Sequence, residues 1–185
     1  MKHHLNNTLQ KYSDIFVETG IFKGEGVEIA LSLGFDQVYS IELLDFYYNN
    51  AIEKFKNNPK VHIIKGDSAF ILYDVIKPIK SKITFWLDGH FMKRDPQQAS
   101  NQNQFKKISP IMEELAQIKQ HDQNDHIILI DDIHEYFTES GALYMSEYAT
   151  NINSISNAIK NINSKYNIDF IGDSADVLRA MIQCN

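Results

Sequence analysis

Five short apolar segments recur along the sequence, and an acidic residue follows each of them directly or within three positions. The segments are rich in β-branched and aromatic residues, which favour strands, and the stretches between them have the apolar spacing of helices. Strands that are apolar along their whole length and alternate with helices are typical of a parallel sheet covered on both faces. The predicted strands are Ile15–Val17, Gln37–Ile41, Val61–Ile64, Ile83–Leu87 and His126–Ile130.

Local signals place the helices and two further strands. Proline and glycine follow several apolar-periodic stretches, where they end helices, and serine precedes two helix starts as an N-cap. The predicted helices are 27–33, 45–56, 69–76 with Ser68 as N-cap, 110–120 with Ser109 as N-cap, and 152–162, and the final strands are Tyr166–Ile171 and Val177–Ile182.

The composition limits the classes of protein that this chain can represent. Its 185 residues, 43% of them hydrophobic, suit a single domain over 1–185. The net charge of −6 argues against nucleic acid as the main partner. Cys184 is the sole cysteine, which excludes a disulfide framework and favours a cytoplasmic location. The sequence has neither an apolar run of membrane-spanning length nor the apolar core of a signal peptide.

A glycine-rich segment follows the first predicted strand and precedes a helix. It runs from Glu18 to Gly26, and its glycines allow the backbone to approach a ligand closely. The spacing Gly20-x-x-x-Gly24-x-Gly26 differs from the G-x-G-x-x-G pattern of pyrophosphate binding. Glu18, just ahead of the first glycine, suits a ligand with a cationic amine, and Glu42 after the second strand suits ribose hydroxyls.

Each acidic residue also has a simpler explanation, because acids commonly follow strands as helix N-caps. The expected convergence at one sheet edge favours a ligand site over separate caps, and it involves Glu18, Glu42, Asp67, Asp88 and the Asp131–Asp132 pair. The remaining polar features are assigned structural roles: His121 and His126 flank a polar loop and are expected to be solvated, and Asp173 and Asp176 belong to a turn.

These motifs resemble those of class I S-adenosylmethionine-dependent methyltransferases, from about residue 13 to the end of the chain. The motifs are Val17–Gly26, Ser40–Glu42, Lys65–Ser68 and Phe85–Gly89. The resemblance implies an α/β fold, a Rossmann-like doubly wound sheet of seven strands in the order 3-2-1-4-5-7-6 with strand 7 antiparallel. It also implies S-adenosylmethionine as cofactor, bound by Glu18, Thr19, Gly20, Phe22, Gly24, Gly26, Glu42, Asp67, Ser68 and Asp88.

A narrower resemblance is to metal-dependent O-methyltransferases, including those that act on sugars. It implies that Asp88, Asp131 and Asp132 hold Mg²⁺ or Mn²⁺, which prefer oxygen ligands. The sugar enzymes carry an L-D-G-D pattern, whereas this chain has Leu87-Asp88-Gly89-His90, which puts His90 in the position of the catalytic base. His134 is a second candidate base, and Asp88 is predicted to be catalytic.

The resulting functional hypothesis is O-methylation of a small molecule, with a sugar or glycan precursor favoured. The acceptor is expected to be covered by Met92–Gln104, by Ile133–Tyr148 or by a second subunit of a homodimer. Met92–Gln104 is predicted to be a mobile polar loop, and either a lid or a plain surface connection. Two alternatives remain: an NAD-dependent oxidoreductase, and a non-catalytic binding module. The aromatic residues expected to line the acceptor pocket are Tyr136, Phe137, Tyr144 and Tyr148.

Overall fold

The computed structural model describes residues 8–92, 94–105, 109–133 and 151–182. These residues form one seven-stranded sheet between two layers of helices. The strands are β1 (Ile15–Thr19), β2 (Gln37–Glu42), β3 (Val61–Lys65), β4 (Ile83–Leu87), β5 (Ile127–Ile130), β6 (Asn167–Ile171) and β7 (Val177–Met181). The helices are α1 (Glu25–Ser32), α2 (Asp45–Phe55), α3 (Ser68–Ile76), α4 (Pro96–Ser100), α5 (Ile111–Ile118) and α6 (Ile152–Ile162).

The strand order is β3-β2-β1-β4-β5-β7-β6. Strands β1 to β5 pair in parallel, and β7 runs antiparallel to both β5 and β6. The predicted order and the antiparallel seventh strand are therefore confirmed. The chain reverses its direction of winding between β1 and β4, and ligands bind at such reversals, beyond the carboxyl ends of the strands.

The strand register brings the acidic residues to one edge of the sheet. Thr19 at the end of β1 is level with Ile41 of β2 and with Leu87 of β4. Glu42 and Asp88, each one residue further along, therefore lie on either side of the glycine-rich segment. This alignment supports the predicted convergence of the strand-end acids.

Both faces of the sheet are buried, as expected for continuous apolar strands. Successive residues of a strand point to opposite faces, so Phe85 packs with α3, α5 and α6, and Trp86 packs with α1 and β5 on the other side. All residues of β4 and β5 are buried. None of the helices within the described residues is both long and apolar enough to cross a membrane.

Two predicted helix starts shift by one residue. Asp67, not Ser68, caps α3, and its Oδ1 accepts a hydrogen bond from the Ala69 N–H at 3.0 Å. Ser68 is thus the first helical residue, and its hydroxyl is available for another partner. Pro110, not Ser109, is the residue that precedes α5. At α3, Asp67 takes the N-cap position predicted for Ser68, because aspartate and serine side chains can both accept the capping hydrogen bond.

The segment Met92–Gln104 is not the loop that its polar composition predicts. It contains α4 and a short 3₁₀ turn at Gln102–Gln104. Asp95 caps α4 by accepting a hydrogen bond from the Gln98 N–H at 2.8 Å, and Pro96 occupies the first turn. The Asp-Pro pair was therefore a usable helix-start signal.

The expectation that His121 and His126 are solvated is wrong. His126 is fully buried and His121 is 6% exposed. His126 Nδ1 accepts from the Ile83 N–H at 3.1 Å, its Nε2 lies 3.1 Å from His121 Nδ1, and His121 Nε2 lies 2.8 Å from the Ile79 carbonyl. This chain of donors and acceptors requires both rings to be neutral, and burial lowers the pKa of His126 to about 4.

Candidate active site

A cavity that is partly open to solvent lies beyond the carboxyl ends of β1, β2 and β4. Its wall combines backbone at glycines, acidic side chains and apolar surface. Six of the ten predicted cofactor residues lie on this wall: Gly20, Phe22, Glu42, Asp67, Ser68 and Asp88.

Glu42 connects the second strand to the glycine-rich segment. Its Oε2 accepts a hydrogen bond from the Phe22 N–H at 3.3 Å, and its Oε1 accepts one from the Leu44 N–H at 2.7 Å. The residue is 6% exposed, and burial raises the pKa of its carboxyl. Each carboxylate oxygen can accept a second hydrogen bond, so Glu42 retains acceptor capacity toward the cavity that it lines.

Glu18 does not line the cavity, although the sequence predicts that it faces a cationic amine. It is 3% exposed, and Oγ of Ser40 donates to its Oε2 at 2.6 Å. A Cβ atom added to Gly26 would overlap Oε1 of Glu18, so the carboxyl lies directly against α1. Burial raises the pKa of Glu18 to about 8. Glu18 therefore supports the glycine-rich segment from below, and Gly26 provides the space for it.

Thr19 and Gly24 also shape this region without lining the cavity. Thr19 is fully buried, and its Oγ1 accepts a hydrogen bond from the Asp88 N–H at 3.3 Å. Gly24 precedes α1 with φ of 77°, and a Cβ atom there would lie 2.8 Å from the Phe55 ring. The positive φ and the ring contact both favour glycine at this position.

Sequence reasoning missed Glu114, which contacts the site from α5. Its Oε1 accepts a hydrogen bond from Ser68 Oγ at 2.6 Å, and it is 1% exposed. Burial raises the pKa of Glu114 to about 7, against the opposing effect of hydrogen bonds from Ser68 and Thr19. A signal for it existed: Glu114 lies three residues after Ile111, on the same helix face as Leu115 and Ile118.

His90 lies between two carboxylates at the deep end of the cavity. Its Nδ1 is 3.1 Å from Oδ1 of Asp88, and its Nε2 is 3.1 Å from Oδ2 of Asp132. Burial alone would lower the pKa of His90, but its hydrogen bonds to Asp132 and Asp88 raise that pKa well above its usual value. Contact with two carboxylates favours the protonated form of the ring, and the role of His90 as base stays a prediction.

No protein-family model matches the sequence, and no curated protein matches it either. Solved structures do match. The Podospora anserina methyltransferase PaMTH1, with S-adenosylhomocysteine (SAH) bound, is 11% identical with a TM-score of 0.55, and the match covers 92% of this chain and 72% of that one. Aeropyrum pernix fibrillarin with bound S-adenosyl-L-methionine is 13% identical with a TM-score of 0.57, over 91% and 66%.

A third match is Haemonchus contortus phosphoethanolamine N-methyltransferase 2, which is 15% identical with a TM-score of 0.54. That match covers 89% of this chain but only 36% of the longer protein. The chain has the class I methyltransferase fold. At these identities the likeness carries the fold alone. It does not indicate an acceptor.

The predicted all-oxygen metal site is only partly assembled within this methyltransferase fold. The described side chains whose ligand atoms come together are Asp88, His90 and Asp132. Asp131 is not in this group: its Oδ1 accepts from the Asp132 N–H at 3.0 Å, and burial, followed by the charge of Asp88, raises its pKa to about 8. Three carboxylates would suit Mg²⁺, but here an imidazole engages both carboxylates through its two nitrogens. Two of the three predicted ligands, Asp88 and Asp132, therefore come together, with His90 in place of Asp131, and the magnesium site stays a prediction.

The segment that contains α4 covers the cavity. Met92, Gln98 and Phe105 all lie on the cavity wall. The hydroxyl of Tyr47 on α2 donates to Oδ2 of Asp95 at 2.7 Å, which joins this segment to the opposite rim. Of the two predicted alternatives, the structure therefore favours a cover over a plain surface connection.

Part of the predicted acceptor region lies outside the described residues. This applies to His134, the second candidate base, and to the aromatic residues Tyr136, Phe137, Tyr144 and Tyr148. Ile133 is the last residue described before the gap of 134–150, and it is fully buried.

Proposed function

We propose that this chain is an S-adenosylmethionine-dependent methyltransferase. The observation that carries the proposal is the cavity at the reversal of strand order. Gly20 of the glycine-rich segment and the acids Glu42 and Asp67 all line this cavity. A methyltransferase fold in which side chains filled this cavity would not support the proposed activity. Here the cavity is partly open, and acidic side chains at or just after the ends of β2, β3 and β4 line it.

The cavity residues fit the proposed cofactor by their chemistry. Glu42 would accept hydrogen bonds from ribose hydroxyls, and its existing bonds to the Phe22 and Leu44 amides hold the carboxylate in place. Asp67 and Ser68 would hold the adenine ring of the cofactor, beside the apolar side chain of Phe70. When bound, S-adenosylmethionine supplies an electrophilic methyl group, and the protein contributes alignment and exclusion of water.

The acceptor is proposed to be a small molecule with hydroxyl groups, of which a sugar or glycan precursor is the favoured class. Asp88 and Asp132 present carboxylate oxygens near the cavity, and these are suited to bind hydroxyl donors. The apolar walls formed by Met92 and Phe105 would contact the less polar face of such a molecule. The net charge of −6 disfavours a nucleic-acid acceptor.

No metal is assigned to the proposed reaction. The His90 ring contacts Asp88 and Asp132 through its two nitrogens, each at 3.1 Å. We therefore propose that His90 orients the two carboxylates toward the acceptor.

Calorimetry tests the cofactor assignment. SAH should bind the wild-type chain with micromolar affinity, which corresponds to about −8 kcal/mol, whereas NAD should not bind. Binding of NAD in preference to SAH would instead support an oxidoreductase. Release of SAH from S-adenosylmethionine, measured with a panel of free sugars and nucleotide sugars, then tests transfer and acceptor class together.

The engagement of His90 by both carboxylates favours one alternative, a non-catalytic binding module. Contact with both carboxylates raises the pKa of His90 and so favours the protonated ring. A proton acceptor has to be neutral. The two functions differ in outcome: a binding module would bind SAH without acceptor-dependent turnover in any member of the panel.

A further inference from the structure

We propose that Glu114 is a positioning residue, whose buried carboxylate fixes both Ser68 and the turn formed by residues 88–90 at the cavity. The inference rests on the proposed function, because it concerns the same cofactor site. Glu114 is not on the wall of the large cavity. It acts through the residues that are.

The first connection is to the start of α3. Ser68 Oγ donates to Oε1 of Glu114 at 2.6 Å, and Ser68 lines the cavity. A hydroxyl has one proton, and this bond commits it to Glu114. The Ser68 oxygen is thus left to act as an acceptor toward the cavity, with its rotamer fixed.

The second connection runs through β1 to the end of β4. Thr19 is close enough to Glu114 to lower the pKa of its carboxyl, and Thr19 Oγ1 accepts the Asp88 N–H at 3.3 Å. That N–H is shared with the Thr19 carbonyl at 3.2 Å. The backbone of Asp88, a second cavity residue, is therefore joined to Glu114 through a single intervening side chain.

The third connection is direct packing against Gly89. A Cβ atom at Gly89 would lie 3.2 Å from Oε1 of Glu114 and 3.3 Å from Ser68 Oγ, which is closer than side chains ordinarily approach. A small second cavity below this turn is lined by Asp88, His90, Glu114 and Asp131, among others. The turn that carries Asp88 and His90 therefore rests on Glu114.

The location of this acid argues for a role beyond packing. Glu114 is on the buried face of α5, where Ile111, Leu115 and Ile118 are 3% exposed or less. Burial of a carboxyl is costly, and an apolar side chain would satisfy packing without that cost. Glu114 instead connects α5 to α3, β1 and the end of β4, three elements that meet at the cavity.

Binding of SAH, measured by calorimetry, tests the inference with four single variants and one double variant. Glu114→Ala removes the acceptor, and we expect roughly tenfold weaker binding. Glu114→Gln keeps a carbonyl acceptor for Ser68, so its affinity should stay within about threefold of wild type. Leu115→Ala is the matched control for lost stability on the same helix, and it should lower the melting temperature without changing affinity. In a cycle with Ser68→Ala, the double variant should bind no more weakly than the weaker single variant.

Two results for the Glu114 variants themselves would overturn the inference, and a third comes from the comparison with Leu115→Ala. One is unchanged affinity in Glu114→Ala. The other is an equal loss in Glu114→Gln and Glu114→Ala, which would indicate that charge, not position, is required. Equal losses in Leu115→Ala and Glu114→Ala at equal loss of stability would likewise reduce Glu114 to an ordinary core residue.

Hydrogen exchange of the ligand-free protein separates this inference from the proposed function. Amides of residues 88–90 should exchange faster in Glu114→Ala than in Leu115→Ala, because only the first change removes the support of the turn. If wild type fails to bind SAH, the proposed function fails, and the exchange rates still decide the inference. Equal exchange in the two variants would then refute it.

Discussion

The carboxylate of Glu42 accepts a hydrogen bond from the backbone N–H of Phe22, and this contact fixes the glycine-rich segment against the end of β2. The same carboxylate lines the cavity. One residue therefore shapes the site and, under the proposed function, binds the ribose as well.

Glu42→Ala should weaken SAH binding by about 1–3 kcal/mol, the typical cost of leaving hydrogen-bonding groups without partners. Calorimetry measures the change. Glu53→Ala is a suitable control because Glu53 is on α2 and its side chain is 74% exposed. Unchanged affinity in Glu42→Ala would contradict the ribose assignment.

The packing of Glu18 against Gly26 predicts a conditional effect of a single methyl group. Gly26→Ala should destabilise the protein by about 1–3 kcal/mol, because the new Cβ overlaps Oε1 of Glu18. In a Glu18→Ala background the clash is absent, and alanine is the better helix former. Gly26→Ala should then be neutral or stabilising. Denaturant unfolding of the four proteins in the cycle gives the coupling, and additive effects would rule out the clash.

The pH dependence of stability should reveal the buried Glu18. Its pKa in the folded protein is about 8, against 4.5 for the ordinary group, so the folded state retains this proton longer than the unfolded state. Its contribution to stability is therefore complete below about pH 4.5 and is lost as the pH rises toward 8. Each unit of difference between the folded and unfolded pKa corresponds to at most roughly 1.4 kcal/mol of unfolding free energy.

Glu18→Gln removes that titration and keeps the shape of the side chain. Wild type should lose stability relative to Glu18→Gln between pH 5 and 8, by a few kcal/mol at most. Glu114 and Asp131 also have raised pKa values, but they are present in both proteins and cancel in the comparison. Parallel stability profiles for the two proteins would show that Glu18 is already ionised at neutral pH.

The strands were predictable because their apolar runs are continuous. The prediction for β4 matches its observed bounds of Ile83–Leu87, and the strand order followed from the resemblance. Side-chain direction was harder to infer. Glu18 and Glu42 both close apolar strands in the sequence, yet only Glu42 faces the cavity, because Glu18 points toward α1.

Long-range polar contacts were beyond sequence reasoning for a physical reason. The bond between Ser68 and Glu114 joins residues 46 positions apart, and no local pattern specifies it. The pairing of His121 with His126 was missed because a polar loop between them suggested solvent. Their ring nitrogens instead satisfy buried backbone groups of Ile79 and of Ile83 at the start of β4.

The cover over the cavity should slow release of SAH. The Tyr47 hydroxyl donates to Asp95 at 2.7 Å, and Asp95 also caps α4 through its other oxygen. Tyr47→Phe removes only the connection between the two rims, so SAH should dissociate roughly three to ten times faster, by the loss of one charge-assisted hydrogen bond. Stopped-flow measurement gives this rate, and Tyr48→Phe, at the next position of α2, serves as the control.

The arrangement of His90 predicts how the chain responds to divalent cations. In wild type, Mn²⁺ should not raise the melting temperature, because the imidazole engages both Asp88 and Asp132. His90→Asp recreates the three-carboxylate set that hard cations prefer, and Mn²⁺ at a hundred times its dissociation constant would then stabilise the variant by about 2.7 kcal/mol. His90→Ala, which opens the space without adding a ligand, should show a weaker response. Thermal unfolding with and without Mn²⁺ measures all three, and strong stabilisation of wild type would restore the metal-dependent hypothesis.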